Sequence, residues 1–109
     1  MTDSTDRIRM LNDNLRRDLT KGTAVMTAGV AALGPQFVER IVRAVATFDD
    51  FYTANDPHSE HDFGVFDVDG HRLIFKVDYY DLKLERHSPD PADPTVTERV
   101  ITLMLADEY

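Results

Sequence analysis

Apolar residues at Ile8, Leu11, Leu15 and Leu19 recur three to four positions apart behind Ser4-Thr5-Asp6, which offers N-cap candidates. The spacing predicts a helix over roughly 5–19, with Arg9, Asp13, Arg16 and Arg17 on its other face and Lys21-Gly22 as its stop. The pattern then changes. Thr23 to Val30 reads TAVMTAGV, β-branched and apolar, and predicts a buried strand. Gly34-Pro35 breaks the chain, and Pro35 suits a first helical position. Phe37, Ile41, Ala44, Val45 and Phe48 form the stripe of a second helix over about 35–48.

From about 60 to 80 the period becomes two. Asp69-Gly70 is a strong type I′ turn, and a two-residue loop fixes the register: Val68 faces His71, Phe66 faces Leu73, Gly64 faces Phe75 and Asp62 faces Val77. That face is mostly apolar and is expected to be the core. The opposite face pairs Asp67 with Arg72, Val65 with Ile74, Phe63 with Lys76 and His61 with Asp78. Two of those pairs join opposite charges, which supports the register independently. Gly64, inside a strand, marks a bulge or a close packing contact. Tyr79 and Tyr80 fall on opposite faces, one toward the core and one free to serve as an interface anchor.

Residues 82–94, with three prolines and no period, predict a loop. Thr95-x-x-Glu98 then has the form of a capping box, and Val96, Val100, Ile101, Leu103, Met104 and Leu105 fill one arc at helical spacing. This predicts a third helix over about 95–107, with a buried strand over ITLML as the lesser alternative. The expectation is a single α+β domain over 1–109, a small antiparallel sheet with the hairpin packed by three helices.

An apolar fraction of 42% argues for a packed core, and the absence of cysteine excludes disulfides, thiolate metal sites and a cysteine nucleophile. No signal-peptide core or membrane span is visible, so the expectation is a cytoplasmic protein. Charge is divided unequally. Residues 1–48 carry seven Lys/Arg against five Asp/Glu, and residues 49–109 carry five against fifteen, for a net −8. That balance disfavours direct nucleic-acid binding, apart from a weakly basic start at Arg7, Arg9, Arg16, Arg17 and Lys21. It favours a surface for a basic protein partner. The expected contact residues are Asp56, Glu60, Asp67, Asp69, Asp81 and Tyr80, within a wider acidic set that includes Asp49, Asp50, Asp62, Asp78 and Glu85.

All four histidines lie between 58 and 87. In the hairpin register His61 lies across from Asp78, and an extended ladder would set His58 across from Asp81. Two imidazoles and two carboxylates at one end of a hairpin could hold a divalent metal, or His61 and Asp78 could act as a general-base pair. The plainer reading is a cross-strand hydrogen bond that closes the hairpin. Asn55-Asp56-Pro57 reads as a turn in which the Asx side chains satisfy local amides.

Taken together, IRMLNDNLR (8–16), VMTAGV (25–30), NDPHSEHDFG (55–64), KVDYYD (76–81) and SPDPADPTVTERVITLMLADEY (88–109) resemble an uncharacterised family of short bacterial proteins, a domain of unknown function. The resemblance spans nearly the whole chain. It implies a bacterial gene, often in a mobile element, and supplies no activity, cofactor or catalytic residue. Phe75 stands where the resemblance leads one to expect a Trp. The functional expectation is a non-enzymatic binding protein, in concrete form an inhibitor of anti-CRISPR or antirestriction type seated on a nucleic-acid-binding complex. The alternatives are a metal-dependent or general-base enzyme at His58, His61, Asp78 and Asp81, and a homodimeric accessory protein pairing through the hairpin edge or final helix.

Overall fold

The computed structural model describes residues 4–109, so Met1, Thr2 and Asp3 lie outside the described residues. The chain is α+β, with helix α1 (Ser4–Arg17), strand β1 (Thr23–Met26), a single-turn helix α2 (Ala28–Ala31) and helix α3 (Pro35–Thr47). Strands β2 (Phe63–Val68), β3 (His71–Tyr80) and β4 (Glu98–Leu105) follow, and 3-10 turns cover Leu19–Lys21 and Ala106–Glu108. The four strands form one sheet in the order β1-β4-β3-β2. Among the described residues, no helix is long and apolar enough to cross a membrane.

Two expectations are corrected. The segment read as a helix over 95–107 is β4, lying between β1 and β3 in the interior of the sheet. The sheet is therefore mixed, since β4 runs parallel to β1 and antiparallel to β3. The capping-box residues are engaged elsewhere: Thr95 Oγ1 donates to Asp93 at 2.7 Å, and Glu98 accepts from Thr23 Oγ1 across the sheet at 2.6 Å. Near the end of β4 both faces are covered, with the successive residues Leu103 and Met104 buried, so the segment reads as a nearly continuous apolar run that fills a helical arc as readily as a strand. The strand expected to be buried over 23–30 is a short, largely exposed edge strand over 23–26, because Thr27 accepts from the Val30 amide and caps the turn of α2.

The hairpin register is as expected, from Val68 opposite His71 to Phe63 opposite Lys76. Asp69 and Gly70 both have positive φ, 50° and 84°, which a type I′ turn requires. On the core face Leu73, Phe75 and Val77 of β3 align with Ile101 and Leu103 of β4 and meet Leu15, Val30, Ile41 and Val45 from the three helices. Gly64 is packed rather than bulged, since a Cβ there would strike the rings of Phe75 and Phe48. Helix α1 departs from its expected stripe: Ile8, Asn12, Leu15 and Arg16 are its buried residues, so two polar side chains share the inward face.

Candidate functional site

The connection over 48–62, between α3 and β2, is built by its own polar residues. The Asn55 side chain accepts from the Tyr52 amide at 2.9 Å and donates to the Asp50 carbonyl at 3.0 Å. Asp56 Oδ1 accepts from the amides of Glu60 and His61 at 3.0 and 3.1 Å. The two Asx side chains thus satisfy nearby amides, as expected of Asn55-Asp56, though three to five residues away rather than the two of an Asx turn. Ser59 and His61 take left-handed conformations, φ 57° and 56°, that L residues seldom adopt. They are held there from outside the loop, by Arg9 donating to the Ser59 carbonyl and by Asn12 donating to the Glu60 carbonyl.

His61 is the pivot. Its Nδ1 lies 2.9 Å from Asp13 of α1, its ring stacks on Phe51 at 3.7 Å, and its Nε2 faces Asp56 Oδ2 at 3.7 Å. Behind it Arg16, 2% exposed, donates to Asp13 at 2.6 Å and to the carbonyls of Val45 and Phe48 at 2.9 Å each. Those carbonyls belong to the last turn of α3, where helical partners run out. Burial raises the Asp13 pKa, but hydrogen bonds and charge from Arg16 and His61 outweigh it and hold the carboxyl below its usual range. A depressed pKa of this kind adds stability above pH 3.8, lost as the pH falls through the folded value. Arg9, Phe51, Tyr52, Asp56, Ser59 and His61 line an open cleft of about 320 Å³.

A second polar network anchors the loop to β3. Asn12 Nδ2 donates to Tyr79 Oη at 2.7 Å, Tyr79 donates to Glu60 at 2.8 Å, and Arg99 Nε donates to Asn12 Oδ1 at 3.0 Å. Burial pushes the Tyr79 hydroxyl well above its usual range, so it stays a donor to Glu60. Beside it, Asp62 is half-buried. Desolvation, followed by the Glu60 and Asp56 charges, raises its pKa. A raised carboxyl pKa stabilises the fold at low pH, and that contribution is lost as pH rises through the folded value. Asp62→Asn should accordingly raise the melting temperature at pH 7, with the gain shrinking as the pH is lowered toward 3.8. A lower melting temperature for Asp62→Asn at neutral pH would contradict this cause of the shift.

The structure does not bring His58, His61, Asp78 and Asp81 together. The ladder ends with the Val77 amide donating to the Asp62 carbonyl at 2.8 Å, because the left-handed His61 then turns the chain away from β3. His61 thus meets Asp13 and Asp56 rather than Asp78, which pairs with Val100 and takes the Lys76 ammonium at 2.9 Å. Asp81 accepts from the amides of Lys83 and Glu85, and His58 is exposed. Among the described residues, no group of three or more His, Asp or Glu side chains is placed to hold a metal ion. The fold thus separates His61 from Asp78, and the four side chains form no common centre.

The expected contact residues also divide. Asp67 and Asp69 are ion-paired to Arg72 and Arg40 at 3.2 and 2.8 Å, Asp56 and Glu60 are held inside the loop, and Tyr80 is half-buried beside Glu98. Asp49, Asp50 and Tyr52 are exposed, and among the described residues neither Asp49 nor Asp50 is ion-paired. Tyr52, 56% exposed, escaped the sequence reading, as did Asn12, Asp13 and Arg16 as supports of the loop. The signal for Asn12 and Arg16 was a polar pair spaced to fall on the stripe of Ile8 and Leu15, and Asp13 had none.

A family model described as a protein of unknown function (DUF3768) matches residues 26–108. No curated protein and no solved structure matches the chain.

Proposed function

The chain belongs to this family of unknown function, so its role rests on its own residues, and we propose that it is a non-enzymatic binding protein presenting the 49–62 loop to a basic site on a protein partner. One observation carries the reading. Fourteen consecutive residues hold five carboxylates and no Lys or Arg, with α1 and β3 holding Glu60 and His61 and the Asn55 side chain tying Asp50 to Tyr52. A loop ordered before binding avoids the entropy cost of ordering at the interface. Asp49 and Asp50 offer unpaired charge beside the exposed Tyr52 ring, which suits an acidic rim around an aromatic anchor.

The partner class follows from that chemistry. Carboxylates on a rigid loop can take the place of phosphates in an Arg/Lys-lined groove. The sequence resemblance to short proteins of mobile elements supports the concrete form of an inhibitor seated in such a groove on a nucleic-acid-handling complex. His61 as a general base has less support, because its Nε2 faces the Asp56 carboxylate.

The test combines capture with charge reversal. Tagged protein is incubated with bacterial lysate, and the retained partner is purified and its binding measured. The affinity is expected to fall at least tenfold for Asp49→Lys/Asp50→Lys, corresponding to about 1.4 kcal/mol, and to be unchanged for Asp67→Asn. An undiminished affinity for the loop variant with a loss at Asp67 would return the contact to the hairpin.

A further inference from the structure

Arg99, the second residue of β4, is a buried charge without a counter-charge. It is 6% exposed, yet among the described residues it forms no salt bridge. Neutral groups hold the guanidinium instead. Nε donates to Asn12 Oδ1 at 3.0 Å, Nη2 donates to the Pro91 carbonyl, and Cζ lies over the Tyr79 ring, 5.3 Å from its centroid. Nη1 has no hydrogen-bond partner among the described residues and remains open to solvent. Burial draws the Arg99 pKa below its usual value, and the Tyr79 and Glu60 groups offset only part of that. A charge taken this far out of water is ordinarily answered by an anion.

Arg99 lines a cleft of about 300 Å³ between α1, the turn before β1 and the segment leading into β4. Leu11 and Pro94 give it apolar walls, and Asn14, Lys21 and Glu98 complete its polar side. Lys21 and Asn14 are exposed, and among the described residues neither side chain is hydrogen-bonded. We propose that this cleft binds a small organic carboxylate, held between Arg99 Nη1 and the Lys21 ammonium, with its carbon chain against Leu11 and Pro94. A mostly apolar recess with a few placed polar groups is the usual form of a small-molecule site.

The charge on the walls selects the class of anion. Two cations, Lys21 and Arg99, and one carboxylate, Glu98, leave a net of +1. That balance answers a monoanion, whereas a phosphate dianion would leave excess negative charge beside Glu98. Guanidinium bonds to a carboxylate are short and about twice as strong as neutral ones, so the free Nη1 supplies the main contact. Lys21 adds the weaker one, being solvated on its outer side. The cleft shares no residue with the 49–62 loop, so its occupancy stands apart from the reading of that loop.

Sodium propionate titrated into the labelled full chain at fixed ionic strength is the test, followed by nuclear magnetic resonance. Propionamide serves as the uncharged control and inorganic phosphate as the multivalent one. Propionate is expected to give saturable shifts at Arg99 Nε–Hε and at the amides of Leu11, Lys21 and Thr97, with a Kd on the order of 1–10 mM. Propionamide should leave these resonances unmoved, and phosphate should bind more weakly than propionate. Arg99→Met removes the main contact and should abolish saturation. Lys21→Gln, an exposed change that should melt as the wild type does, keeps the test open if Arg99→Met fails to fold. It should weaken propionate binding roughly three- to fivefold, the scale of an exposed ion pair. Shifts that never saturate, propionamide acting as propionate does, or tighter binding of phosphate each overturn the proposal. An unchanged affinity for Lys21→Gln overturns it too, since the anion would then sit elsewhere.

Discussion

Replacing Arg16 with alanine is expected to remove about 3–5 kcal/mol of stability, the cost of taking one partner out of a buried ion pair. Out of a total of roughly 5–15 kcal/mol for a domain of this kind, that leaves much of the population near unfolding. The loss has named parts. Asp13 keeps only His61 as a counter-group, the carbonyls of Val45 and Phe48 lose their donor, and a void opens where the guanidinium covers Phe51 and Phe75 at 5.0 and 5.6 Å. Arg16→Lys should recover a minor part, because an ammonium cannot serve the carboxylate and both carbonyls in one plane. Urea unfolding followed by circular dichroism gives the number. A loss below about 1 kcal/mol would mean that surrounding groups or water satisfy Asp13 and the carbonyls unaided. The consequence reaches the binding loop: amides of 51–61 should exchange faster in Arg16→Ala, since His61 and Phe51 lose the group behind them.

Gly64→Val is the second large effect, expected to destabilise by about 3 kcal/mol, the upper range for overpacking a close-packed core. A Cβ at Gly64 would lie 2.7 Å from Phe48 Cε1 and closer still to the Phe75 ring. Both rings are locked, since Phe75 is fully buried and Phe48 stands edge-on to Phe51 at 4.9 Å and to Phe75 at 5.3 Å. Phe75→Leu makes room for the new methyl groups, so the double variant Gly64→Val/Phe75→Leu should lose less than the two single losses added together. Strict additivity would show that the Gly64–Phe75 contact does not set the cost.

The two-residue turn made the hairpin legible. Asp69-Gly70 fixes the pairing, and a slip of one residue would reverse every side chain from Phe63 to Lys76. Strand β4 was misread for a reason equally local: Val100, Ile101, Leu103, Met104 and Leu105 satisfy both periods, and only pairing with β1 and β3 decides between them. The site was half legible. Asn55 and Asp56 act on their own neighbours, so their turn could be read. The bond from Asp13 to His61 spans forty-eight residues of chain, and nothing between them announces it. The left-handed backbone at His61 was equally hidden, because a non-glycine residue adopts it only when tertiary contacts over-determine it. The Val77 amide still reaches the Asp62 carbonyl at 2.8 Å, but beyond it His61 turns away, so the pairings of His61 with Asp78 and of His58 with Asp81 fail, and Asp78 and Asp81 go to Lys76 and to the next turn.

Backbone amide chemical shifts of the labelled chain, titrated with the captured basic partner, test the central claim most directly. The account predicts that the largest shifts fall within 49–62, with smaller changes at Asn12 and Tyr79 behind the loop and little change at the hairpin tip over 67–72. Large shifts at 67–72 with an unmoved 49–62 would contradict it.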